Sequence, residues 1–493
     1  MLGGPLLKPA LAVAAIALGA ACGSSGATGG DAGSPSTDGG DGNDAHASVD
    51  ASGNARADGS ADAPSGTGEG GEAGGADAGS GDSTGVAAIA ASSFLDSIGA
   101  GAHVAQGVDD PTKSAAALLY AGIREMRDDG NPSVVGSWIA MHQAAGIRLS
   151  LLTNQDVAST LDMAKQLDAA GALLAVEGPN EPNNFPVTYM GQTSSYTTTF
   201  LPVAQLQRDL YAAVKAEPTL KGIPVFHSSE AGGSEPDNVG LQFLTIPTGA
   251  GIAMPDGTAY ADFANTHNYV CGHSSNYVDN AAWDASDPTL NGDWDGPYVE
   301  YGHTWHGGFT GYSNADLTTL PKVTTETGWV TTGTGAITTE QQGRLFLDLY
   351  LSAYKRGFSY TFIYMLRDDP VQGYWGLFDT SYNPKTSGTY VHNLTTILAD
   401  TGAAAPGKLD YAIANEPATV HDLLLRKSSG RFELVVWDEK LSGGTDSVTV
   451  DLTTSRPTVS VYDPTTGTAA VQTLQAVSSV PLTLSDHPVI VEI

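Results

Sequence analysis

The chain has 493 residues and a formal net charge of -32, from 22 Lys and Arg against 54 Asp and Glu. That balance excludes recognition of nucleic acid or of an anionic membrane surface through a basic face, because phosphate affinity rests on Lys and Arg. The length exceeds one small domain and suits a barrel of about 250 residues with additional pieces.

After Met1 and the single early charge of Lys8, Leu11 to Ala21 is an apolar run of signal-peptide length, too short to span a bilayer. It ends in Leu18-Gly19-Ala20-Ala21-Cys22, which resembles a bacterial lipoprotein signal, in which small residues precede a cysteine that becomes the lipidated first residue. The resemblance implies a signal peptide over 1–22, acylation of Cys22, and a lipid anchor at the cell envelope as the membrane contact. The pattern usually has Leu where Gly19 stands, and secretory cleavage near Ala21 is the alternative. With Cys22 acylated, Cys271 has no partner within the chain and no disulfide framework exists. No metal is expected: His227, His273, His303 and His306 do not fall into a ligand spacing.

From residue 23 to about residue 88 the sequence is Gly, Ala, Ser and Asp, which cannot bury enough surface to offset the entropy of ordering, so a disordered tether is expected. Apolar runs then alternate with helical patterns, the layout of βα units around a parallel sheet. Strands are expected over Ser97–His103, Gly122–Arg127, Gly146–Leu152, Leu173–Val176, Ile223–Ser228, Ala261–Val270, Lys322–Glu326 and Ser359–Leu366. Helical spacing recurs over Ser133–Ala145, Asp156–Ala170, Pro202–Ala216 and Thr339–Lys355. The expected fold is α/β, a (β/α)8 TIM barrel over 89–400. A doubly wound sheet competes, but no glycine-rich phosphate loop follows an early strand.

A long stretch, 271–320, interrupts the pattern with aromatics including Tyr277, Trp283, Trp294, Trp305 and Phe309, which are candidates to line sugar subsites. Beyond about residue 400 short alternating runs replace the helices: Thr419–Arg426, Phe432–Trp437, Ser447–Leu452, Thr458–Tyr462 and Val489–Ile493. They read as a small antiparallel β-sandwich over 401–493.

The chemistry is concentrated at strand ends. The fourth strand runs straight into Asn180 and Glu181, and the seventh ends at Glu326. Two carboxyl groups at the C-terminal mouth of a barrel are what glycosidic bond cleavage requires, one to protonate the leaving oxygen and one to meet the charge that develops at the sugar carbon. His267 and Tyr269, two residues apart, share a face of the sixth strand.

Asn180-Glu181-Pro182, His267-x-Tyr269, Glu326-Thr327-Gly328-Trp329 and an arginine ending the second strand, in this order, resemble clan A of the retaining glycoside hydrolases, with family 39 the nearest in domain layout. The resemblance implies Glu181 as general acid/base, protonated before reaction, and Glu326 as nucleophile. It also implies Asn180 on the sugar 2-hydroxyl, Arg127 and Tyr269 on the nucleophile, a carbohydrate substrate and no cofactor. Arg124 is the alternative to Arg127, and an ion pair with Glu125 or Asp128 is the structural reading of either arginine. His267 also fits a hydrogen-bonded core imidazole, and His103 is placed on a sugar hydroxyl. The clan's platform Trp is missing at the end of the eighth strand, which leaves Tyr364, Trp375 or Trp329 to stack on the sugar. A non-catalytic carbohydrate-binding lipoprotein on the same scaffold is the rival reading, and a lyase or transglycosylase a third.

Overall fold

The computed structural model describes residues 85–195, 197–229, 237–270, 277–289, 311–400, 402–403 and 405–493. Cys22, Cys271, Trp294, Trp305, Phe309 and nearly all of the expected tether lie outside them.

Eight parallel strands form one sheet, each paired with its sequence neighbour: β1 (Ile98–Gly101), β2 (Glu125–Asp129), β3 (Arg148–Leu152), β4 (Leu173–Glu177), β5 (Val225–Phe226), β6 (Ala264–Thr266), β7 (Lys322–Thr327) and β8 (Phe358–Ile363). β8 pairs back onto β1. The remaining seam is narrowed by a parallel bridge between Phe226 and Phe263 and by the 2.9 Å bond from His227 N–H to the Phe263 carbonyl. The sheet is therefore a TIM barrel. Phe226, Val323 and Phe362 pack together within it, as interior positions of a small barrel require.

Helices α1 (Pro111–Ala121), α2 (Val135–Ala145), α3 (Val157–Ala169), α4 (Leu201–Ala216), α5 (Thr339–Lys355) and α6 (Thr386–Leu398) follow six of the strands. Their ends follow from local chemistry. Asp110 caps α1 by accepting from the N–H groups of Thr112 and Lys113, with Pro111 in the first turn. Thr338 and Gln341 make a reciprocal capping box at α5.

β5 and β6 are much shorter than the sequence suggests. His227, Ser228 and Ser229 leave the ladder because Ser228 donates to the Pro179 carbonyl and Ser229 accepts from Glu181 N–H, so these residues brace the neighbouring loop. Two short helices, Ala281–Ala285 and Asn314–Thr319, lie within the long aromatic stretch.

The C-terminal domain comprises β9 (Tyr411–Ala414), β10 (Val420–Arg426), β11 (Phe432–Asp438), β12 (Asp446–Tyr462), β13 (Ala470–Leu484) and β14 (Pro488–Glu492). Two of the expected strands are halves of β12, whose register shifts between Asp451 and Arg456. β13 was not anticipated: no residue of its first ten is buried, so burial alternates only from Val480 onward. Residues 86–90 also belong here. Val86–Ala87 pairs antiparallel with Lys408–Leu409, and Ile89–Ala90 runs parallel to β10. The boundary expected at residue 88 thus falls inside a folded region that has begun by Val86.

β10, β11 and β14 are buried on both faces. Leu424, Leu434, Val436 and Val491 point into the sandwich, while Leu423, Leu425, Val435, Trp437 and Ile490 join the core shared with the barrel. Period-two alternation thus welds the two domains. Trp283 lies in the same seam, stacked on His421 at 3.9 Å with the Arg356 guanidinium 3.9 Å from its ring, so it serves packing and lines no subsite.

Buried carboxyls sit in this seam. Both oxygens of Asp348 lack a hydrogen-bond partner among the described residues, and burial holds its carboxyl well above the usual range. Burial likewise pushes Glu439 up to about 7, although it accepts from Ser352 and from the N–H groups of Ala282 and Trp283. A carboxyl with a raised folded-state pKa holds its proton more tightly folded than unfolded. Its contribution to stability is intact in acid and is lost as pH rises through the folded value. The thermal midpoint is expected to fall between about pH 5 and about pH 8, as calorimetry can check. Asp348→Asn should flatten that slope, and a midpoint that climbs over the same range contradicts the assignment.

Candidate active site

β4 delivers the centre of the site. Its last residue, Glu177, is fully buried, and the chain then turns through Gly178. A β-carbon at Gly178 would lie 1.8 Å from Gln207 Oε1 and 2.7 Å from Ser228 N, so only glycine lets the turn pass. Glu181 follows with φ of 35°, a left-handed conformation unusual for a non-glycine residue. Its backbone N–H donates to Ser229 Oγ, and its carbonyl accepts from the N–H groups of Asn184 and Phe185. Strained backbone held by surrounding bonds is common where a side chain must be aimed.

Arg127, two residues before the end of β2, organises the rest. Its Nε donates to both oxygens of Glu177 at 3.0 and 2.9 Å, Nη1 reaches Glu326 Oε1 at 2.5 Å, and Nη2 reaches Asn180 Oδ1 at 2.6 Å. Neither structural alternative holds: Glu125 pairs with Arg148, and Asp128 accepts from Trp138 and Ala105. Arg124 precedes β2, at the opposite end of the barrel from the site.

Tyr269 donates to Glu326 Oε2 at 2.6 Å. His267 Nδ1 lies 2.6 Å from Glu181 Oε1 and 3.7 Å from Glu326 Oε2, and its Nε2 contacts Thr325 Oγ1 at 3.1 Å. The expected pairing of His267 with Tyr269 is present, although both lie just beyond the short β6. One facing oxygen or nitrogen each from Glu181, His267 and Glu326 lie within 4.8 Å of one another. Among the described residues this is the one group spaced to share a metal ion. Arg127 already occupies the flank of Glu326, so a dication would sit beside a buried guanidinium, which disfavours it.

The electrostatics correct one expectation. Burial alone would raise the Glu181 carboxyl, but the hydrogen bond and charge of His267, with Asn184 and Arg127, outweigh it and hold Glu181 below its usual value. Burial would lower the His267 imidazole, yet Glu326 and Glu181 raise it. The two shifts favour a charged imidazole against a charged carboxylate across the 2.6 Å contact between His267 and Glu181.

The carboxyls open onto a cleft of about 640 Å³ lined by Asn180, Glu181, Glu326, His103 and Tyr364, among others. Tyr364, one of the expected stacking residues, lines this cleft, with the His103 ring edge-on at 5.6 Å. Two expected contacts are not brought to the cleft. Gly328, with φ of 148°, turns the chain so that Trp329 is fully buried and donates to the Gly335 carbonyl. Trp375 packs edge-on against Tyr269 at 5.4 Å and Tyr364 at 6.0 Å, behind the wall.

The residue that sequence reasoning missed is Glu177. Besides Arg127 it accepts from Thr325 Oγ1 at 2.9 Å, Ser150 Oγ at 3.2 Å and Asn265 Nδ2 at 3.3 Å. A charged residue closing an otherwise apolar strand was the available signal.

No protein-family model matches the chain, and no curated protein sequence matches it. Solved structures similar to it include the catalytic domain of a GH30 xylanase C from Talaromyces cellulolyticus, at 13% identity over 80% of this chain and 96% of that one, with a TM-score of 0.47. A glucosidase from Croceicoccus marinus is similar at 11% identity over 77% of this chain and 90% of that one, TM-score 0.45. An endo-β-1,6-glucanase is similar at 11% identity over 80% and 91%, TM-score 0.42.

Removing Glu177 strands a buried guanidinium with part of its compensation gone. Glu177→Ala is expected to cost about 3–5 kcal/mol in urea unfolding, whereas Thr325→Val, which removes a neutral donor, should cost about 1 kcal/mol.

Proposed function

We propose that the chain is a glycoside hydrolase of the clan A type that works with retention of configuration. The carrying observation is the approach of Glu181 and Glu326, with oxygens inside 4.8 Å. Retaining enzymes hold their two carboxyl groups about 5–5.5 Å apart, and inverting ones need about 6.5–9.5 Å to admit a water molecule. Glu326, fixed by Arg127 and Tyr269, attacks the anomeric carbon and forms a glycosyl ester. Glu181 protonates the departing oxygen with the proton it shares with His267, then takes one from the water that cleaves the ester. Asn180, held through its Oδ1 by Arg127, is left with its amide N–H groups for the sugar 2-hydroxyl. Likeness to family 39 in particular rests on the C-terminal β-domain and belongs to the same proposal.

We also place the enzyme at the cell envelope, tethered through acylated Cys22, on the strength of the lipoprotein-type signal. Radiolabelled palmitate entering the wild type but not a Cys22→Ala variant would bear this out. Label in neither protein refutes it.

Glu326→Gln should abolish turnover while leaving the unfolding curve in place, and a 2-fluoroglycoside should label Glu326 covalently. Labelling elsewhere, or near-normal activity of the variant, overturns the nucleophile's role. Glu181→Gln should lower the rate by about 10²–10⁴-fold on substrates with poor leaving groups, and added azide should restore turnover on activated ones.

The site needs one proton in the Glu181–His267 pair. Because His267 is raised above its ordinary value, the alkaline limb of kcat/KM is expected above about pH 6.5. A limb near the usual carboxylate range contradicts proton sharing.

A further inference from the structure

The cleft wall carries a residue that the two-carboxylate chemistry does not use. Asp129 follows Arg127 by two positions on β2, so both side chains leave the same face of the strand, and Asp129 sits about 7 Å nearer the mouth. That is roughly one step along the strand pleat above the Arg127–Glu326 contact. Asp129 Oδ2 accepts from Gln106 Nε2 at 2.7 Å, and both residues line the cleft. Its neighbour Asp128 is buried against Trp138 and the Ala105 N–H, with its carboxyl held well above the usual range by burial and by Asp129.

Asp129 feels the charge of Arg127, but among the described lining residues no cation is paired with it. Arg127 is the one Lys or Arg among the lining residues, and its donors are committed to Glu177, Glu326 and Asn180. The sequence extends this beyond the described cleft. No Lys or Arg occurs in 102–110, 130–134, 153–156, 178–200, 227–263, 267–313 or 328–338, the segments that follow β1 to β7. The segment after β8 holds Arg367, buried and paired with Asp109, and Lys385, partly buried and paired with Asp368. The barrel's cations gather instead at the starts of the strands or just before them, at Arg124, Arg148, Lys221, Lys322, Lys355 and Arg356, whereas at the mouth end Lys113, in the first turn of α1, lies over the Tyr382 ring and lines no part of the described cleft. General acidity spreads carboxylates everywhere, whereas this arrangement strips positive charge from one end.

We propose that Asp129, presented with Gln106 on the cleft wall, restricts the substrate to uncharged glycans, by accepting hydroxyl donors from a sugar beside the cleavage point and repelling any sugar that bears a carboxylate or sulfate. This rests on the glycosidase reading and names the substrate class of the same cleft. A hydroxyl satisfies a carboxylate acceptor at no charge cost. An anionic sugar there meets Asp129 and Glu326 in a partly desolvated wall, where like charges repel strongly and salt screens them poorly.

The test compares a neutral polysaccharide with the same polymer oxidised to uronate at C6, at low and at high salt. The wild type should favour the neutral polymer by at least about tenfold in kcat/KM, and Asp129→Asn should narrow that gap by about tenfold, most at low salt. Gln106→Lys, on an exposed side chain, should narrow it too. Equal cleavage of both polymers by the wild type, or a gap unchanged in both variants, overturns the proposal. Binding of oligosaccharide pairs to Glu326→Gln, measured by calorimetry, separates the two readings. A neutral-over-anionic preference in binding without hydrolysis refutes the glycosidase and keeps the charge filter, and binding of neither oligosaccharide refutes both.

Discussion

The contact on which this site depends is the guanidinium of Arg127 lodged between two carboxylates. One, Glu177, is buried at the end of β4, and the other, Glu326, faces the cleft from β7. A buried charge is tolerated only when its hydrogen bonds are met, and here Glu177, Glu326 and Asn180 meet them together. Three strands are thereby held in one relation: a shift of β2 against β4 or β7 would leave an ion exposed to a dry interior. The position of Glu326 beside Glu181 is thus a by-product of electrostatic necessity. Thr325, Ser150 and Asn265 complete the shell around Glu177, so the clamp extends through β3 and to β6.

Charge is also arranged to move one proton a short distance. Glu181 and Glu326 both look toward His267, whose imidazole responds to their combined field and not to either alone. In the proposed reaction Glu326 loses its negative charge while the ester forms, so the field that raises the imidazole weakens in the same step in which Glu181 passes its proton to the departing oxygen. Glu181 would then be left as the carboxylate that the second step requires.

Much of this was legible in the sequence because it depends on strand ends. The apolar run Leu173–Val176 with Asn180-Glu181 close behind it, and the β-branched run Val323–Thr325 ending at Glu326, announce both buried strands and what they carry, and all eight strands overlap the runs expected of them. The β5 and β6 lengths were not legible, because Ser228 and Ser229 look like strand residues until their hydroxyls are seen bracing the Glu181 loop. Trp329, Trp375 and Trp283 looked like sugar platforms. A ring's composition says nothing of which side of a turn it falls on, and each of the three went to packing. Glu177 was overlooked because its role exists only in relation to Arg127, fifty residues earlier. The protonation of Glu181 was misjudged for a similar reason, since His267 comes from another strand altogether.

The stitching of Val86–Ala90 into the last domain has a practical meaning. The first described strands are paired with Lys408–Leu409 and with β10, and the barrel lies between them in the sequence. No single cut liberates either half intact: trimming at residue 400 takes away the partners of those first strands and bares the apolar side of β10, β11 and β14 that leans on the barrel. Any hold on the leading segment would accordingly pull on the sandwich before it reached the catalytic strands.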